Sequence, residues 1–232
     1  MPSRWGEERT ESHADVVAAL ISFYRELEPD FLCLQEVPSP ETFDEVAVEL
    51  GMRGHYAQGG GRPAYGGALL WRAHDGVFDD LTHTRVRDER IFERICLVLR
   101  AKINGEPLVI ANLHLSSNRF APDCCGGRTR LNELEALFRA CSPPDIVAGD
   151  FNARPDSAEY VAMIERGYVD CGSLLSANRF QADERIDYIW VREDSAVRAE
   201  DVAGIPDRPF TLAGKSSVDL SDHPVVGARL TW

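Results

Sequence analysis

The chain has 232 residues, 44% hydrophobic and 27% charged, and carries a formal net charge of −13. That balance is ordinary for a globular protein and argues against both a disordered chain and a membrane-embedded one. The acidic excess excludes tight, sequence-independent binding of nucleic acid through a broad basic face, although a cation and a few local arginines can still build a positive field around one phosphate.

The length admits one α/β core, and no repeat, low-complexity tract or long linker divides it, so residues 1–232 read as a single domain. Met1 to Thr10 lack the basic start and apolar stretch of a secretory signal, which points to the cytoplasm. From Ser12 to Leu27 the apolar residues Val16, Leu20, Phe23, Tyr24 and Leu27 recur at helical spacing, and Pro29 with Asp30 ends the helix. A short strand over Phe31 to Leu34 follows. Further strands are predicted at Ala68 to Trp71, Ile95 to Ile103, Leu108 to Leu115, Ile146 to Ala148, Ile186 to Val191 and Val225 to Leu230. Several are uniformly apolar, as expected where both faces are covered. Two further helices are predicted: Arg130 to Ala140, with Leu131, Leu134 and Phe138 on one face, and Ser157 to Arg166. Strands outnumber helices, and hairpin-like links alternate with helical ones, which favours two packed sheets flanked by helices. The cysteines Cys33, Cys96, Cys141 and Cys171 form no CxxC pair and read as reduced thiols, whereas Cys124 and Cys125 sit in a polar, Gly-rich loop where oxidation is open to them.

Chemistry concentrates at the strand ends, where Glu36, His114, Asp150, Asn152, Asp187, Asp222 and His223 fall. A carboxylate just beyond the apolar run Phe31 to Leu34 suits a hard cation, which takes oxygen ligands and often only one or two carboxylates. Equally, Glu36 could simply mark the end of a strand. Gly149 to Asn152, GDFN, offers a turn glycine, an acid and an amide, although Asp and Asn in this pattern also form Asx turns. In SDHP, Ser221 to Pro224, a histidine beside an acid is a candidate general acid/base or phosphate ligand, and also a common structural pair.

LQEV at 34–37, HLSS at 114–117, GDFN at 149–152, RIDYIW at 185–190 and SDHP at 221–224 occur in the order of the motifs of the endonuclease/exonuclease/phosphatase superfamily. The chain resembles that family from about Arg9 to Trp232. The resemblance implies an α/β (α+β) fold: a four-layer αββα sandwich of two packed mixed sheets flanked by helices, with the site at one end of both sheets. It implies hydrolysis of a phosphate ester by activated water with Mg²⁺ or Mn²⁺ as cofactor. Carried over, Glu36 binds the metal and Asp222 lies beside it, directly or through water. His114 contacts the scissile phosphate, Asp150 and Asn152 orient the attacking water, and Asp187 orients His223. An acid–imidazole pair keeps a histidine positive opposite the phosphate, while the metal screens charge on the leaving oxygen.

The family often places an arginine early in the helix after its His-Leu motif, and Arg130, with Arg128 nearby, fits that spacing as a bidentate phosphate ligand. The competing reading is a solvated arginine paired with Glu133. Tyr65, Arg119 and Phe120 suit a base-stacking lip, or else merely cover the core, and YGGALLW at 65–71 reads as an interior strand with a packing role.

One family feature is missing: a first strand with an Asn, in a motif such as Trp-Asn-Val. MPSRWGEERT is too polar for it, and no asparagine precedes Asn104. The expectation is a start downstream of that strand; the alternative, a branch without it, would expose apolar edges that invite pairing with another chain. A phosphodiester in DNA, RNA or a nucleotide is the expected substrate. The alternatives are a small phosphorylated metabolite or inositide, and a binding member without turnover.

Overall fold

The computed structural model describes residues 10–72, 76–86, 89–119, 126–174, 185–205, 223 and 225–231. In chain order they form α1 (Thr10–Leu27), β1 (Phe31–Val37), α2 (Pro40–Leu50), β2 (Arg53–Ala57), β3 (Gly66–Trp71), β4 (Gly76–Asp80), the short β5 (Arg85–Val86) and β6 (Glu89–Arg90), and β7 (Ile95–Ile103). There follow β8 (Glu106–His114), α3 (Gly127–Ala140), β9 (Ile146–Asp150), α4 (Ala158–Glu165), β10 (Tyr168–Asp170), a 3-10 turn (Cys171–Leu174), β11 (Asp187–Arg192), β12 (Arg198–Ile205) and β13 (Val225–Thr231).

Among the described residues, β1, β3 and β2 form a three-stranded antiparallel sheet, and β10-β11-β9-β8-β7-β4 a six-stranded one. The larger sheet is mixed, because β8 and β9 run parallel with α3 as their crossover while its other pairs are antiparallel. β12 and β13 form a further antiparallel ladder.

The period-2 alternation of each strand explains the layering. Along β7, Ile95, Leu97, Leu99, Ala101 and Ile103 face the smaller sheet, where they meet Leu69 and Trp71 of β3. The intervening Cys96 and Val98 face the opposite way, into a layer with Leu134 and Leu137 of α3 and Met163 of α4. On the far side of the smaller sheet, Leu34, Ala68 and Leu70 pack under Val17, Leu20 and Ile21 of α1 and Val46 and Leu50 of α2. Three apolar layers between four structural layers give the αββα sandwich. Each fully buried leucine or isoleucine contributes about 2 kcal/mol to it.

Asn112 spans the middle layer. Wholly buried on β8, it donates from Nδ2 to the Leu34 carbonyl at 3.2 Å and the Ala68 carbonyl at 2.8 Å, and its Oδ1 accepts from Gln35 Nε2 at 2.7 Å. One amide therefore joins both sheets beside Glu36.

The predicted helices and strands all form, with small changes at their ends; β1 runs on through Glu36 to Val37. The helix α2 was not predicted, although Ser39 accepts from Thr42 N at 3.3 Å, Pro40 follows it, and Gly51 closes the helix at φ 62°. Cys33, Cys96, Cys141 and Cys171 are free thiols, and burial pushes Cys33 up to about 12. Cys124 and Cys125 lie outside the described residues, as do Trp5, Arg9 and Phe120. No helix among the described residues is long and apolar enough to cross a membrane.

Candidate active site

Three neighbouring strands of the larger sheet bring their functional residues to one level. The β8–β9 register sets His114 opposite Asp150, and the β9–β11 register sets Asp187 opposite Asp150. Gly149 permits this approach. It has φ 132°, and a Cβ built there would lie 1.9 Å from the Leu113 carbonyl oxygen.

Asp150 is 6% exposed, with Oδ2 3.3 Å from His114 Nε2. Its Oδ1 accepts from the Asn152 backbone N–H at 2.7 Å, the Asx turn that the sequence allowed. Asn152, at φ 49°, also donates from Nδ2 to Asp150 Oδ2 at 3.3 Å and to the Leu115 carbonyl at 2.9 Å. The turn is thus a structural device that also sets the acid and amide side by side. His223 Nδ1 lies 2.9 Å from Asp187 Oδ2. One ligand atom each from Asp150, Asp187 and His223 lie within 4.8 Å of one another.

Glu36 reaches the group from the other sheet. It has φ 57° where the β1–β3 register shifts between Gln35 and Val37, so the irregularity takes it out of the ladder. Burial holds the Asp150 carboxyl above the usual range, reinforced by Asp187 and Glu36 and opposed by His223 and the Asn152 N–H. His114 is held well below its ordinary value by burial, then by the cationic neighbours Arg94 and His223. It is therefore a neutral imidazole here, and its buried Nδ1 has no hydrogen-bond partner among the described residues. Carboxylates crowded enough to raise Asp150 are hard oxygen donors whose repulsion a divalent cation would remove, so the residues fit such an ion.

Arg94 escaped the sequence analysis. It is 2% exposed, its guanidinium carbon lies 3.8 Å from the Tyr65 ring centroid, and burial lowers it from its ordinary value while Glu36 and Asp150 oppose that shift. Its position just ahead of the apolar run of β7 is a strand end too, the same local mark that the other site residues carry in the sequence. Tyr65 accordingly lies at the site, while Arg119 is exposed.

Arg130 does not join the acids. It is buried, with Nε 2.6 Å from Glu159 Oε1 and Nη1 donating to the Ser116 carbonyl at 3.1 Å and Asn118 Oδ1 at 2.7 Å. Its Nη1 holds the 115–118 loop, and its ion-pair partner is Glu159 rather than Glu133. Arg128 is exposed on the first turn of α3. Asp222 lies outside the described residues.

Fold and site together define a class: a two-sheet αββα sandwich with acids, an amide and imidazoles gathered at one end of its strands. The chain belongs to the Endonuclease/Exonuclease/phosphatase family, whose model matches residues 6–223. Members of that family are hydrolases of phosphate esters, generally dependent on a divalent metal. The chain is 28% identical over 151 residues to Carbon catabolite repressor protein 4 homolog 5 of Arabidopsis thaliana, covering 56% of this chain but only 32% of that protein, about a third of its length. Among solved structures it is similar to D. rerio TDP2 complexed with single-strand DNA product, at 20% identity and TM-score 0.68 over 96% of this chain and 94% of that one. A mannosyl-6-phosphatase of Bacteroides thetaiotaomicron is similar at 17% identity and TM-score 0.69, over 94% and 91% of the two chains.

Proposed function

We propose that the chain is a phosphodiesterase that uses Mg²⁺ or Mn²⁺ to hydrolyse a nucleic acid or nucleotide-containing substrate. The observation that carries this reading is the convergence of Asp150, His114, Asp187 and His223 at one level of the larger sheet. When bound, the cation supplies screening of the charge that grows on the leaving oxygen. Glu36 and Asp222 would hold it. Asp150, steadied by Asn152, accepts hydrogen-bonding protons of the attacking water and turns its lone pair toward phosphorus. Asp187 fixes the ring of His223, which faces the phosphate. The buried guanidinium of Arg94 adds a positive charge that needs no reorganisation during the reaction.

Two features favour a diester. Tyr65 over Arg94 sets an aromatic surface beside a cation, which suits a base next to its phosphate. The likeness to TDP2 in complex with single-strand DNA product supports the same choice. The net charge of −13 and the likeness to a mannosyl-6-phosphatase favour instead a small phosphorylated metabolite or inositide.

Hydrolysis of bis-p-nitrophenyl phosphate, p-nitrophenyl phosphate and a labelled oligonucleotide, with Mg²⁺ or Mn²⁺, separates these readings. Turnover of the diester and the oligonucleotide is expected, abolished by EDTA and reduced roughly a thousandfold by Asp150→Asn. Turnover of the monoester alone would select the small-metabolite reading. Folded protein without metal-dependent turnover would select a binding role.

A further inference from the structure

Ser116, two residues past His114, is held at each of its polar atoms. Its N–H donates to Glu133 Oε2 at 2.9 Å, its hydroxyl to Glu133 Oε1 at 2.8 Å, and its carbonyl accepts from Arg130 Nη1. Glu133 Oε1 also accepts from the Glu93 N–H at 3.1 Å, one residue before Arg94. A single carboxylate on α3 therefore ties the segment leaving β8 after His114 to the segment approaching β7 at Arg94. Leu115, between His114 and Ser116, accepts from Asn152 Nδ2 and donates its N–H to the Asp150 carbonyl at 2.8 Å. Movement at Ser116 is thus passed directly to His114, Asp150 and Asn152.

We propose that Glu133 is a positioning residue for this site: ionised, it holds the Glu93–Arg94 and Leu115–Ser116 segments in place, and its protonation slackens both and lowers turnover. This rests on the phosphoesterase reading above. Its three partners are all donors, and a carboxylate accepts from all of them, whereas a protonated carboxyl sets its own O–H against one. The residue is fully buried, so no water can replace the lost acceptor. Burial pushes Glu133 up to about 7, aided by the Glu93 carboxylate and opposed by the Ser116 and Glu93 hydrogen bonds, which puts the change in the neutral range. The groups around it are Glu93 ahead of β7, the Cys96 thiol on β7, Ser116 in the loop, and Arg130 on its own helix, itself paired with Glu159 of α4. Burial keeps the Cys96 thiol well above its ordinary value, so that group stays neutral throughout.

Glutamine at 133 has one accepting oxygen and one donating amide group, and so imitates the protonated acid at every pH. The test is the ratio of kcat/KM between wild type and Glu133→Gln from about pH 5.5 to 8.5, in which titrations common to both proteins cancel. The ratio is expected near one at the acid end and roughly tenfold at the alkaline end, since residues that orient active groups have effects of that order. A ratio that does not vary with pH overturns the proposal. In parallel, the His114 ring resonances of the wild type should report a neutral-range titration that Glu133→Gln lacks; identical titration in both proteins overturns it as well. Should the wild type hydrolyse no substrate, the phosphoesterase reading fails by itself, and the His114 resonances still decide whether Glu133 positions that segment. If Glu133→Gln does not fold, Ser116→Ala serves: with one donor to the carboxylate removed, the neutral limb of the pH profile and the His114 titration should both move to higher pH, and unmoved midpoints overturn the proposal.

Discussion

At position 149 even a methyl group has no room, since it would meet the Leu113 carbonyl oxygen while the backbone holds φ 132°. Gly149→Ala should push β9 off β8 and cost about 3 kcal/mol, read as a drop in the midpoint of denaturant unfolding. Site residues should separate by kinetic signature. Glu36→Gln should raise the Mg²⁺ or Mn²⁺ concentration for half-maximal activity roughly tenfold with little change at saturation, whereas His223→Ala should depress kcat at any metal concentration. Wild-type behaviour in both would sink the role assignments. Glu133 makes a separate prediction about stability. Its folded value of about 7 stands above the ordinary 4.5, so its contribution is present below the lower value and lost as pH rises through the higher one. The wild type should therefore lose thermal stability relative to Glu133→Gln between about pH 5 and 8. The charge that would organise the site is thus held against the preference of the fold, a common tension at functional positions.

At the scale of elements, the sandwich depends on polar as well as apolar contacts between its sheets. Asn112→Leu would leave the Leu34 and Ala68 carbonyls and Gln35 Nε2 without their bonds in a dry layer, at a cost of about 3 kcal/mol, measurable by chemical denaturation. Since Gln35 precedes the irregularity at Glu36, the same variant should also weaken metal binding, read by calorimetry. Asn112 was not legible in the sequence: one asparagine inside the apolar run of β8 has no local partner, and its value depends on a sheet far away in the chain. The strands themselves were legible wherever both faces are buried, because an unbroken apolar run needs no register to be recognised. The helix α2 was legible through Ser39, Pro40 and Gly51 but escaped because its apolar face, Val46 and Leu50, is short. The half-exposed strands β2 and β4 carry weak alternation, with His55, Tyr56 and Asp80 in them, and their pairing is decided by β3 and β7.

For the whole molecule, the charge of −13 has a kinetic consequence. An acidic surface repels a polyanion except at the site, so added monovalent salt should change kcat/KM on a labelled oligonucleotide only shallowly, or raise it. A steep fall with salt, as for proteins that displace many counterions, would contradict a local phosphate site. The sequence by itself determined the strands with two buried faces, the family motifs, and the acids, amides and imidazoles set at strand ends. Those signals survive in one dimension because burial on both faces and a turn at a strand end each leave a local mark. Only the tertiary structure decided that Arg130 clasps a loop while Arg94 lies among the acids, and that Glu133 joins two segments far apart in the chain. A guanidinium or carboxylate has the same formula wherever it falls; its partners, and hence its work, are set by which strands the sheets bring side by side.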